Sequence, residues 1–173
     1  MSVRLLLPLL LSGCAVQMPL CTTRCGLAYM GTSPERRQLI SCADVQRAED
    51  TALRAFAEAE AAASSPDPNL QGNLCPRLAR IEWWQHADSD AGTWAMYREP
   101  IRGIAWCGQR MLATHAGDAW AAQSFPHELA HLLQNCITMS PTDPGLDARH
   151  SNWGRGGVED ALARYVAYAG EEP

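Results

Sequence analysis

The segment Phe125-Pro126-His127-Glu128-Leu129-Ala130-His131-Leu132-Leu133-Gln134-Asn135-Cys136 decides how the rest of the chain is read. His127 and His131 are four positions apart, a spacing that puts both imidazoles on one helix face, close enough to share one metal ion. Glu128 lies roughly a quarter-turn from His127, beside such an ion rather than on it, where a carboxylate can take a proton from bound water. Leu129, Leu132, Leu133 and Cys136 fall on the opposite side, so ligands point toward a cleft and leucines toward a core. Pro126 suits a first helical turn with Ser124 or Phe125 just outside it. Alternatively, Asp118 caps an earlier turn through Trp120 and Gln123, with a kink at Pro126. Both geometries leave 127–136 helical.

The run His127-Glu128-Leu129-Ala130-His131 resembles the His-Glu-x-x-His zinc motif of the zincin metallopeptidases. The resemblance covers this helix and the ligand segment downstream of it, not the whole chain. It implies an α+β fold, a compact domain whose small mixed or antiparallel sheet packs on the active-site helix, with additional helices. It also implies Zn2+ held by His127, His131 and a third protein ligand, with a position left open for water. His150, in Leu146-Asp-Ala-Arg-His-Ser-Asn-Trp-Gly154, ranks first, because two prolines and a glycine between Cys136 and Gly145 let the chain leave the helix and return. Glu159 ranks second, matching zincins that use a glutamate from a later helix. Asp147 ranks third, with Asp160 the other aspartate option. The pattern departs from the metzincin subgroup: Leu-Leu-Gln-Asn-Cys-Ile follows His131, and Met139 cannot be assigned to a Met-turn.

The mechanism implied is hydrolysis of a peptide or protein substrate by zinc-bound water, with Glu128 accepting a proton and returning it to the leaving amine. A donor must also face the developing oxyanion. Tyr165 is the first choice, with Tyr168, Arg149 and Arg155 available. An edge strand lining the cleft is a further implication, and Thr93 to Arg98 or Ile104 to Leu112 fits that part. The second reading is a catalytically inactive zincin-like binding or scaffold lipoprotein that recognises envelope proteins or peptidoglycan.

The N-terminal residues point outside the cytoplasm. Arg4 is followed by an apolar run from Leu5 to Leu11, too short to span a bilayer and shaped like a secretory signal. Leu11-Ser12-Gly13-Cys14 resembles the lipobox of bacterial lipoproteins. That resemblance implies removal of residues 1–13, lipidation of Cys14 and a membrane-anchored protein of the bacterial cell envelope. Ala15, rather than Asp, implies sorting to the outer membrane where the organism has one. The expected division is 1–13 signal peptide, 14–33 lipidated tether partly stapled to the domain, and 34–173 metallopeptidase domain.

Of the seven cysteines, Cys14 is then taken by lipid, and Cys21, Cys25, Cys42, Cys75, Cys107 and Cys136 remain for disulfides. Their pairing is open. A cysteine zinc cluster is disfavoured because no Cys-x-x-Cys pair occurs. The 173 residues suit one domain, and 47% hydrophobic residues are enough for a packed core. All fourteen Lys+Arg positions are Arg, and the net charge of -5 supplies no basic excess for nucleic acid. Nothing in the sequence sets an oligomeric state.

Apolar recurrence predicts a helix over 42–62 and another over 158–168, and Pro34 opens a short one through Ile40. Residues 77–85 read as strand or helical turn, and 101–114 as one or two strands, with Gly103 and Gly108 marking bulges or close backbone approach. The six tryptophans read as packing residues or cleft rims, and His86 and His115 as surface or supporting histidines.

Overall fold

Val45, Ala48, Ala52, Phe56 and Ala59 recur at three- and four-residue steps, and in the computed structural model of the chain they form the buried side of helix α1 (Cys42–Ala62). Ser41 caps its start, the hydroxyl accepting from the Asp44 N–H at 3.1 Å. The Ser-Ser-Pro-Asp-Pro run follows its end, where proline cannot continue the helical ladder. The structure describes residues 18–32, 40–86, 103–115, 117–134 and 157–171. Accordingly, the expected helix from Pro34, the strand over Thr93 to Arg98 and the signal and lipidation segment around Cys14 lie outside the described residues.

The described strands are β1 (Cys21–Thr22), β2 (Ala28–Thr32), β3 (Glu82–His86), β4 (Gly103–Trp106) and β5 (Met111–His115). They form one mixed sheet in the order β1-β2-β3-β5-β4. β2, β3 and β5 are parallel, while β1 and β4 run antiparallel at the two edges. With helices α2 (Cys75–Leu78), α3 (Ser124–Leu133) and α4 (Val158–Gly170), this is the expected α+β architecture with a mixed sheet. Residues 77–85 resolve into the last turn of α2, which Pro76 opens, followed by β3.

The boundary expected at 33/34 lies outside the described residues, and the described part of the segment before it carries two strands of the sheet. β1 and β2 belong to the domain, and Leu27 and Tyr29 are fully buried in its core. Two disulfides fix this N-terminal part: Cys21–Cys42 ties β1 to the start of α1, and Cys25–Cys75 ties the following turn to α2. Glu49, a charged residue of α1, lies on its buried side. It is buried, accepting from the Thr23 hydroxyl, the Cys25 N–H at 3.2 Å and the Gln46 amide at 3.1 Å. A buried carboxylate is tolerable when its lone pairs are occupied in this way.

A line of aromatic rings joins sheet to helices. Tyr29 meets Trp83 edge-on at 5.5 Å, Trp83 stacks on Phe125 at 4.1 Å, and Phe125 lies 6.3 Å from Tyr165. Elsewhere, α4 packs along α1. Gly157, at φ 77°, starts α4 where a Cβ would lie 3.0 Å from the Ala59 carbonyl oxygen, so both its conformation and the close approach require glycine.

Removing the longer of the two bridges with Cys25→Ser/Cys75→Ser is expected to cost about 2–4 kcal/mol in a denaturant melt. An unchanged midpoint would show that Glu49 and the surrounding core hold the N-terminal strands unaided.

Candidate metal centre

Helix α3 begins at Ser124, so Pro126 sits in its first turn, where its missing N–H leaves no intrahelical bond unmade. The Ser124 hydroxyl donates to Asp118 at 2.6 Å, so Asp118 anchors the start of α3. At the other end, the Arg77 guanidinium donates to the Leu133 carbonyl, and the Gln134 amide donates to Asp67 at 2.7 Å. A cation at the last carbonyls is favourable both as a hydrogen bond and against the helix dipole. With both ends held, the side chains in between have defined directions.

His127 and His131 do come together on one side of α3, their ring centroids 5.1 Å apart and their planes at 73°. The Glu128 carboxylate lies beside His127, its Oε1 3.9 Å from His127 Nε2, beyond hydrogen-bonding distance. The simple division into a cleft side and a core side needs revision, however. Glu128 and His131 are only 7% and 6% exposed, because α3 packs against both β4 and β5 and is enclosed on most sides. Only His127 among the three is appreciably open, with 32% of its side-chain surface exposed. Leu129, Leu132 and Leu133 are buried as expected, while Asn135 and Cys136 lie outside the described residues.

Glu128 is in direct register with the edge strand. A Cβ placed on Gly103 would lie 2.5 Å from Glu128 Oε1 and 2.6 Å from its Cγ. The close approach expected at Gly103 is therefore present and is made by the candidate base. At Gly108 a Cβ would meet nothing within 4 Å.

The donor chemistry suits zinc as far as it is described, since two neutral imidazoles on one helix face are ordinary zinc ligands. Among the described residues, no three His, Cys, Asp or Glu side chains are grouped to hold one ion. Glu159 and Asp160 are exposed in the first turn of α4, and Asp160 accepts from Arg164 at 2.8 Å. Neither joins the two histidines. His150 and Asp147 lie outside the described residues, as do Arg149, Arg155 and Met139. Cys107 opens the 3-10 turn that follows β4, and its side chain and Cys136 lie outside what is described.

Tyr165 is fully buried, and its hydroxyl donates to the Trp120 carbonyl at 2.5 Å. Burial pushes its phenol pKa up, so the group keeps its proton and holds α4 to the segment before α3. Tyr168 is committed to Glu58, with the Arg54 guanidinium 3.8 Å above its ring. His115 ends β5 opposite His86, its Nδ1 accepting from the Gly117 N–H at 3.1 Å, which makes it a turn-forming histidine. The sequence flagged Gly103 but carried no signal joining it to Glu128, since that contact depends on the crossing of α3 and β4.

Tyr165→Phe is expected to retain metal binding and any hydrolysis while losing about 1 kcal/mol of stability from the missing bond to Trp120. A hundredfold fall in turnover at unchanged stability would instead return Tyr165 to the reacting centre. Comparisons of the chain with protein-family models, curated proteins and solved structures give no match.

Proposed function

We propose that the protein is a membrane-anchored, zinc-dependent metallopeptidase of the cell envelope. The observation that carries this reading is the grouping on α3: two imidazoles 5.1 Å apart, with a buried carboxylate between them and the edge strand of a mixed sheet. A histidine pair serving only to staple the fold gives no reason for a carboxylate 3.9 Å from His127 Nε2, whereas a metal-bound water beside the histidines would give that carboxylate a proton to accept. The resemblance to the zincin helix adds to this reading, as does β4, the antiparallel edge strand next to that helix.

His127 and His131 supply two ligands, and His150 or Asp147 the third. Zinc held there would act as a Lewis acid, making a water acidic enough to attack an amide near neutral pH. Glu128 accepts a proton at its carboxylate and delivers it to the leaving nitrogen. Its enclosure between α3 and β4 keeps the carboxylate away from bulk water, which strengthens its electrostatic effect on a nearby reacting group. Among the described strands the outer edge of β4 faces away from β5 and has no neighbour, an edge suited to pairing with an extended peptide. Anchoring follows from the lipobox at Cys14; among the described residues no helix is long and apolar enough to cross a membrane.

Metal analysis of the full-length protein is expected to find one zinc per chain, lost in His131→Ala and His150→Ala and retained in Glu159→Ala. With a quenched-fluorescent peptide mixture, Glu128→Gln is expected to keep its zinc and lose on the order of 10^2–10^4-fold in turnover. Full activity in Glu128→Gln would refute the mechanism. Stoichiometric zinc without cleavage of peptide or cell-wall substrates would establish a binding protein instead.

A further inference from the structure

We propose that Gly103 is a positioning residue for Glu128: the missing side chain in β4 forms the notch that fixes the carboxylate beside His127. This rests on the peptidase reading for its consequence in catalysis, but its geometry is independent of any metal. Glycine is a poor strand residue, and it is usually kept for a left-handed backbone or for space. Gly103 is not among the glycines with positive φ, so its backbone conformation is open to any residue. Space is the remaining reason. The would-be Cβ lies 2.5 Å from Glu128 Oε1, 2.6 Å from Cγ and 2.9 Å from Cδ, contacts that real side chains do not make.

Three atoms along the side chain are involved, so tilting the carboxylate tip would not make room for a methyl group. The whole Glu128 side chain would have to change rotamer. It is 9% exposed, which leaves few alternative positions. Strand pairing opposes movement of the other partner: Gly103 is in register with Thr114, and Ala105, two positions on and on the same side, is buried in the core. A residue at 103 therefore acts on the carboxylate more readily than on the strand. The notch determines where a proton acceptor stands relative to the histidines, and a displacement of about 1 Å at such a group can cost roughly 10^2-fold in rate.

The test combines a metal-free stability cycle with kinetics. Thermal unfolding of the apo-protein is measured for wild type, Gly103→Ala, Glu128→Ala and the double variant, with Gly108→Ala as the open-space control. Gly103→Ala is expected to lower Tm by about 4–8 °C when Glu128 is present, and to lower it little when Glu128 is Ala. Equal shifts in the two backgrounds would overturn the proposal. Should Gly103→Ala fail to fold, folding of the double variant supports it, and failure of both refutes it.

In the zinc-loaded protein, Gly103→Ala is expected to lower kcat by roughly 10–100-fold with KM and zinc content unchanged, whereas Gly108→Ala matches wild type. Unchanged kcat in Gly103→Ala would overturn the positioning role even if the stability cycle shows coupling. A wild-type protein without zinc or cleavage would refute the peptidase reading and, with it, the catalytic consequence. The apo-protein cycle would still decide whether Gly103 seats Glu128.

Discussion

The stacking of Phe125 on Trp83 fixes what the rest of the molecule must do. Trp83 belongs to the middle strand of the sheet, and Phe125 stands two residues before His127. Stacked aromatic rings contribute about 0.5–1.5 kcal/mol beyond the area they bury, and they also restrict rotation of the helix about its axis. Once Phe125 is turned toward Trp83, the helical repeat determines where His127, Glu128 and His131 point. The Trp83 indole N–H donates to Thr114 at 3.0 Å, so the ring that receives Phe125 is itself held by the neighbouring strand. Tyr29 and Tyr165 extend the same contact toward the first strands and the last helix.

Two carboxylates lie inside this small domain, and they are accommodated differently. Glu49 is surrounded by donors from its own helix and from the Thr23–Leu27 turn, an arrangement that joins separate segments. Glu128 lies against a glycine and beside an imidazole whose nitrogen is 3.9 Å away. The first arrangement serves the fold. The second puts the carboxylate beside His127, on the helix that also carries His131, and that placement gives it a different interpretation.

Much of the scaffold was legible from spacing. The limits of α1 follow from apolar recurrence, the Ser41 cap and the prolines after Ala63, and the last helix follows from the same periodicity. The expectation of one or two strands over 101–114 covers β4 and β5, with Gly103 inside β4 and Gly108 in the turn between them. The first two strands were not legible, because β1 has two residues and β2 is broken by a register shift at Gly31, leaving no alternation long enough to read. The burial of Glu49 carries no sequence signal, because a charged residue in a helix normally faces water and only its tertiary partners make burial tolerable. The histidine pair and Glu128 were visible in the local sequence, but the enclosure of Glu128 and the partner of Tyr165 arise from chain crossings that local spacing does not encode.

Both described disulfides close within the first 75 residues, with sequence separations of 21 and 50. A chain that emerges from a ribosome or a translocation channel N-terminus first therefore presents all four of these cysteines before β4, β5 and α3 exist. Oxidation at that stage would leave a crosslinked half-sheet waiting for its remaining strands, with Trp83 still lacking Phe125. The order of emergence thus separates covalent closure of the scaffold from assembly of the histidine helix, which must add itself to a framework already restricted in shape.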